Sequence, residues 1–129
     1  MTDEKLIVLA KQAQENAYAP YSHFRVGAAL LGRSGRVYTG CNVENASYGA
    51  AVCGERTAVY KAISEGERDF ARIAVASSSG EITYPCGICL QVLAEFSPEI
   101  EVLLSNGREV QKYKLSELLP HPFIKEDIK

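Results

Sequence analysis

Residues 73–104 read IAVASSSGEITYPCGICLQVLAEFSPEIEVLL, which is an apolar run, a helical stretch and a second apolar run. The apolar runs at 73–76 and 101–104 have the length and composition of buried strands, and residues 86–96 between them are predicted to form a helix. This order of elements is a βαβ unit. We therefore expect two parallel strands joined by a right-handed crossover.

Two shorter apolar runs precede this unit, at 26–31 and 37–41. They are separated by Gly32-Arg33-Ser34-Gly35, which predicts a β-hairpin. Residues 2–17 carry apolar side chains at helical spacing before Pro20, and residues 53–65 precede Gly66, a common end signal. Each of these two segments is predicted to be a helix.

The chain downstream of the unit contains Asn106-Gly107 followed by a short apolar run at 110–113. Asn-Gly favours a tight hairpin, and so short a connection requires an antiparallel last strand. A brief helix is predicted at 115–119. The sum is an α/β layered domain with a mixed sheet of about five strands, and we expect residues 1–129 to form one domain.

The bulk composition excludes several classes of partner. The chain is 47% hydrophobic and 23% charged with a formal net charge of −2, so nothing favours binding to nucleic acid. No apolar run has the length of a membrane span, and the N-terminus lacks the basic start of a signal peptide. We therefore expect a cytoplasmic protein, in which closely spaced thiols stay reduced and serve as ligands or catalysts.

Three of the four cysteines predict a metal site: Cys53, Cys86 and Cys89. Cys86 and Cys89 are three positions apart on one face of a predicted first helical turn, and Cys53 begins another helix. Positive helix ends favour thiolates, so two helix N-termini would converge on one zinc ion. Three protein ligands leave one position for water, as in catalytic sites. The fourth, Cys41, is interpreted as a small buried residue.

Two charged residues follow Cys53. Glu55 is placed to move protons beside the metal, and Arg56 lies one helical turn from Cys53, where it can offset the negative charge of three thiolates. A structural zinc knuckle and a redox Cys-x-x-C pair are the alternatives. A knuckle would call for a fourth ligand and a redox pair would call for neither Cys53 nor Glu55, so we predict a water-activating hydrolase.

The pattern Cys53-x-Glu55 followed by Pro85-Cys86-x-x-Cys89 resembles the zinc deaminase signature. Longer stretches at 18–29, 40–48 and 118–123 are similar to the small homotetrameric cytidine deaminases of pyrimidine salvage. The resemblance implies a three-layer domain with helices on both faces of the sheet. It also implies one zinc ion per subunit, a nucleoside substrate, no nucleic-acid or membrane partner, and a homotetramer with shared active sites.

The same resemblance implies roles for further residues. Those matching Asn42 and Glu44 hold the ribose 3′-hydroxyl, and the one matching Phe24 packs on the pyrimidine ring. Outside this family, a turn, a solvated loop and core packing are ordinary explanations for such residues. The implied set is completed by the base-reading backbone of Gly54 and by positions that contribute to a neighbouring subunit's site: Ala46, Tyr48 and Phe123.

One position departs from the family pattern. The family usually continues its Pro-Cys-x-x-Cys with Arg-Gln, whereas this chain has Leu90-Gln91. We therefore expect a changed environment for the thiolates, with consequences for metal tuning, interface or substrate range. A deaminase preferring a modified cytidine or a cytosine nucleoside antibiotic is one alternative, and a non-catalytic zinc-bearing nucleoside-binding protein is another.

Overall fold

A computed structural model describes residues 1–128 of the chain. One five-stranded mixed sheet carries helices on both faces, as expected. The helices are α1 (Asp3–Gln14), α2 (Gly54–Ser64), α3 (Gly87–Phe96) and α4 (Leu115–Leu118). The strands are β1 (Val26–Gly32), β2 (Val37–Cys41), β3 (Phe70–Ser77), β4 (Glu101–Ser105) and β5 (Val110–Lys114).

The strand order is β2-β1-β3-β4-β5. The β3–β4 pair of the predicted βαβ unit is parallel, whereas β1–β2, β1–β3 and β4–β5 are antiparallel. Both hairpins and the antiparallel last strand are thus confirmed. The contact between β1 and β3 had no sequence prediction, because it joins strands that are not neighbours in the chain.

Burial follows position in the sheet. Every residue of β1 is buried, because this interior strand is covered on both faces and therefore reads as a continuous apolar run. The edge strands β2 and β5 alternate in exposure along their length. One core cluster lies between the sheet and α2 and α3 and includes Phe70, and a smaller one lies under α1 and includes Leu6.

Two predicted boundaries were wrong by several residues. The first helix ends at Gln14 rather than residue 17, because Ala17 N–H bonds the Gln14 carbonyl in a turn. Strand β3 begins at Phe70 rather than residue 73, and Arg72 concealed this early start because a charged side chain interrupts the apolar run. The side chain of Arg72 pairs with Asp3 in the first turn of α1.

Candidate active site

The sulfur atoms of Cys53, Cys86 and Cys89 all lie within 4.8 Å of one another. The Sγ–Sγ distance is 3.8 Å between Cys53 and Cys86 and 3.6 Å between Cys86 and Cys89. Three thiolates at about 2.3 Å from a tetrahedral zinc ion are about 3.8 Å apart, so the observed spacing fits that ion.

Helix geometry brings these sulfurs together. Cys53 is the N-cap of α2 and Cys86 is the N-cap of α3, and neither side chain caps its own helix. Ser, Thr, Asn and Asp are the residues usually preferred at such positions. A thiol used there leaves the sulfur free to face the other helix, so two positive helix ends meet at the cluster. Cys89, one turn into α3, is completely buried behind it.

Arg56 supplies a cation to the cluster. Its Nη2 donates to Cys53 Sγ at 3.5 Å. Hydrogen bonds from Cys89 and from Arg56 lower the pKa of the Cys53 thiol, while the same shared proton and burial raise the pKa of Cys89. The arrangement therefore favours a thiolate at Cys53 even before a metal neutralises it.

Glu55 is 4% exposed and lies in the first turn of α2. Its Oε1 has no hydrogen-bond partner among the described residues, which is costly for a buried carboxylate unless a ligand uses it. Burial, with a smaller contribution from the nearby Cys53, raises the pKa of Glu55 to about 7. A carboxyl group with such a pKa can both accept and donate a proton near neutrality.

A cavity of about 470 Å³ opens beside the cluster. This volume is typical of sites for small molecules. The residues expected from the sequence that line it are Phe24, Asn42, Glu44, Tyr48, Cys53, Gly54, Glu55, Arg56 and Cys86. Two of the three clustered thiols, the Glu55 carboxyl group and the Phe24 ring thus border one space.

The side chains of Asn42 and Glu44 also form hydrogen bonds with backbone groups of the protein. Asn42 Oδ1 accepts from Val26 N–H at 2.9 Å and its Nδ2 donates to the Phe24 carbonyl at 2.7 Å. The Glu44 carboxylate accepts from Ser22 Oγ and from the N–H groups of Ser22 and Tyr21, and the Ser22 bonds lower its pKa. Each side chain keeps one lone pair or N–H for a ligand.

Three other expected residues are strongly exposed. Ala46 lies outside the cavity lining, and Tyr48 on its rim is 84% exposed. Phe123 is 59% exposed and lies away from this chain's cavity, where Gln91 bonds its backbone N–H and carbonyl. A role for these residues in a neighbouring subunit's site stays a prediction.

Leu90, the position expected to depart from the family pattern, is 7% exposed and packs in the larger core cluster. It is not part of the cavity lining. Cys41, expected to be buried, is half-buried at the end of β2. The charge beside the thiols is therefore supplied by Arg56.

Sequence reasoning missed part of the cavity wall. Thr83, Tyr84 and Ile88 line the cavity beside Cys86, and Val26 and Val52 contribute apolar surface. The places of Thr83, Tyr84 and Ile88 beside Pro85-Cys86, and of Val52 before Cys53, were the available signal. Which side chains near these motifs face the cavity depends on the conformation of the segment between β3 and α3. No periodic sequence pattern predicts that conformation.

Comparison with known proteins identifies the group to which these features belong. The family described as "Cytidine and deoxycytidylate deaminase zinc-binding region" matches residues 1–104. The chain belongs to this family. A cytidine deaminase of Halalkalibacterium halodurans is 50% identical, covering 99% of this chain and 98% of that protein. One of Sporosarcina psychrophila is 46% identical, over 99% of this chain and 96% of its own.

Solved structures agree with the fold. A crystal structure of cytidine deaminase from Burkholderia pseudomallei has a TM-score of 0.91 and 49% identity, covering 95% of this chain and all of its own. Family membership confirms zinc as the cofactor, and the three sulfurs form a group that fits it. Among residues 1–128, no helix combines the length and apolar character needed to cross a bilayer.

Proposed function

We propose that this chain deaminates cytidine and 2′-deoxycytidine hydrolytically, giving uridine or 2′-deoxyuridine and ammonia. One observation carries the proposal: Glu55, whose buried Oε1 has no hydrogen-bond partner among the described residues, borders the same cavity as Cys53 and Cys86, two of the three thiols spaced for zinc. The relatives named cytidine deaminase support the same reaction. Its place would be pyrimidine salvage in the cytoplasm.

Each residue of the site would have a separate role in the reaction. Cys53, Cys86 and Cys89 would hold zinc, which supplies a Lewis acid that makes water acidic near neutral pH. Glu55 Oε1 would take a proton from the attacking water and deliver it to the departing amino group. The backbone of Gly54 would orient the base, and Phe24 offers a flat apolar face to the pyrimidine ring.

Charge in the cavity favours a nucleoside over a nucleotide. Arg56 is the one cation that lines it among the described residues, and its guanidinium already donates to Cys53 Sγ. Glu44, which also lines the cavity, would repel a phosphate. Asn42 and Glu44, which their backbone contacts already orient, would bind the 3′-hydroxyl that both cytidine and 2′-deoxycytidine carry.

The assay follows the absorbance change of cytidine with purified protein before and after chelation, and again with Glu55→Gln. We expect the variant to keep its zinc and lose ammonia release, because the amide cannot accept the proton. Glu15→Gln, at an exposed position on the turn after α1, is the matched control and should be fully active. Full activity of Glu55→Gln would overturn the mechanism.

The same assay separates the alternatives. A zinc-bearing binding protein would show no turnover of any nucleoside, and a deaminase for modified cytidines would leave cytidine nearly untouched while converting base-modified analogues.

We also propose a homotetramer in which Tyr48 and Phe123, both exposed in the single chain, complete neighbouring sites. The mass in solution tests this assembly, and a monomer with full activity would contradict it.

A further inference from the structure

Residues 78–85 connect β3 to α3 and form one wall of the cavity through Thr83 and Tyr84. The mechanism proposed above uses neither side chain. This segment leads directly into Cys86, so its position fixes both the width of the cavity and the approach to a metal ligand.

The wall has little backbone support of its own. Ser78 N–H bonds the Arg25 carbonyl, but residues 79–85 make no backbone–backbone hydrogen bond with the described part of the chain. Pro85 has no N–H to donate. The segment therefore depends on side-chain contacts, among them the bond of 2.9 Å between the hydroxyls of Ser77 and Thr83.

Tyr84 attaches the end of the wall to the edge strand β5. Its Oη donates to Gln111 Oε1 at 3.1 Å and lies 3.1 Å from Tyr113 Oη. Tyr113 Oη donates to the same Gln111 oxygen at 2.6 Å. The two rings pack at 5.8 Å between centroids with a tilt of 56°. We call these three residues the tyrosine clamp.

The tip of the same hairpin holds the other end of the wall. The Gly80 carbonyl accepts from Asn106 Nδ2 at 3.2 Å and from Arg108 Nη2 at 3.3 Å. The β4–β5 hairpin thus contacts residues 78–85 at two points, Gly80 and Tyr84. Most of that hairpin lies beyond residues 1–104, the part matched by the family.

We propose that Tyr84 is a positioning residue for nucleoside binding, acting through the cavity wall that the tyrosine clamp holds against β5. The inference rests on the proposed function. Without the Tyr84 hydroxyl, the part of the wall next to Cys86 loses its hydrogen bond to β5 and becomes more mobile. Nucleoside binding must then order this part of the wall, which costs free energy. Binding weakens as a result, while Glu55 and the three cysteines, which lie in α2 and α3 or at their N-caps, keep their places.

The test compares Tyr84→Phe, Gln111→Ala and the double variant with wild type. We expect each single variant to raise KM for cytidine about three- to tenfold, the usual effect of one hydrogen bond, with kcat within about twofold. Zinc content and Tm should stay at the wild-type values. The double variant should be no worse than Tyr84→Phe alone, because the hydroxyl that Gln111 Oε1 accepts from is already absent in that variant.

Tyr60→Phe is the matched control. Tyr60 on α2 is 49% exposed, similar to Tyr84 at 51%, and its hydroxyl has no hydrogen bond with residues 1–128. Its KM should not change. An unchanged KM for Tyr84→Phe, independent additive effects in the double variant, or a fall in kcat that follows zinc loss would each overturn the positioning role.

A second measurement separates this inference from the proposed function. Calorimetric titration with uridine measures nucleoside binding without turnover, and Tyr84→Phe should weaken it by the same three- to tenfold factor. If wild type binds uridine but does not convert cytidine, the proposed function fails. The ratio of the uridine dissociation constants of Tyr84→Phe and wild type still decides the role of Tyr84. Equal uridine affinities would overturn that role even in an active enzyme.

Discussion

Arg56 places a positive charge against the thiol cluster. Its bond of 3.5 Å to Cys53 Sγ is the side-chain cation contact of the cluster in the described chain. We expect Arg56→Gln to lower zinc affinity or turnover about 10- to 100-fold, because partners of metal ligands typically have effects of this size. Zinc titration with a chelating dye and cytidine kinetics measure the two quantities.

The control for Arg56 is Arg68→Gln. Arg68 is exposed and forms neither a hydrogen bond nor an ion pair with residues 1–128, so this variant changes net charge without touching the cluster. If both variants lost activity equally, long-range charge rather than the sulfur contact would be responsible.

At this scale, spacing along the chain predicted the thiol cluster and Glu55, because each depends on helix geometry within a few residues. The bonds of Asn42 and Glu44 to the backbone of residues 21–26 were not predictable, since their partners lie 16 to 23 positions away. The bond of Tyr84 to Gln111 was not predictable either. Gln111 lies 27 positions away on β5, and predicting the bond requires the position of that strand in the sheet.

Two glycines set how closely helices approach the sheet. A Cβ at Gly40 on β2 would lie 2.5 Å from Ala58 N and 2.6 Å from Gly54 O, both in α2. A Cβ at Gly27 on β1 would lie 2.0 Å from the Ala10 carbonyl oxygen of α1. Backbone atoms cannot yield locally, so either side chain would push a helix away.

We expect Gly40→Ala and Gly27→Ala each to lower the free energy of unfolding by about 1–3 kcal/mol or more, as overpacking does. Gly40→Ala should also lower kcat/KM for cytidine, because α2 carries Glu55 in its first turn. Gly27→Ala serves as its control, since α1 lies on the other face of the sheet. Urea unfolding and steady-state kinetics measure both effects, and equal losses of activity would contradict this assignment.

Element types were largely predictable because interior and edge strands leave different patterns. β1 is apolar throughout and β5 alternates, in agreement with their burial. The order of strands was less accessible, because the pairing of β1 with β3 depends on contacts between residues about 40 to 50 positions apart. Such contacts are selected by packing of the whole sheet and leave no local signal.

Across the whole molecule, Asp3 connects the first turn of α1 to the sheet. It accepts from Arg72 on β3 and from Lys112 on β5, the latter at 3.3 Å. The Arg72 bond, and then Lys112, hold the pKa of Asp3 below its ordinary value. The stabilisation is therefore complete above the unfolded-state pKa of about 3.9 and is lost as pH falls through the lower folded-state value.

Asp3→Asn should lower Tm at pH 7 by about 1–5 °C, a small effect because the pairs are partly solvated. The difference from wild type should hold down to about pH 4 and close below it. Glu4→Gln, an exposed acid in the same turn, controls for the helix dipole. Thermal melts across pH measure both, and a gap that persisted in strong acid would contradict the ion-pair origin.

The convergence of α2 and α3 also has a consequence for the order of folding. Cys53 and Cys86 are 33 positions apart, and their sulfurs meet only when both helices have docked on one face of the sheet. A chain emerging from the ribosome exposes Cys53 well before it has made Cys86 and Cys89. Metal uptake is therefore a late event, and a molecule that retains zinc is one whose tertiary structure is complete.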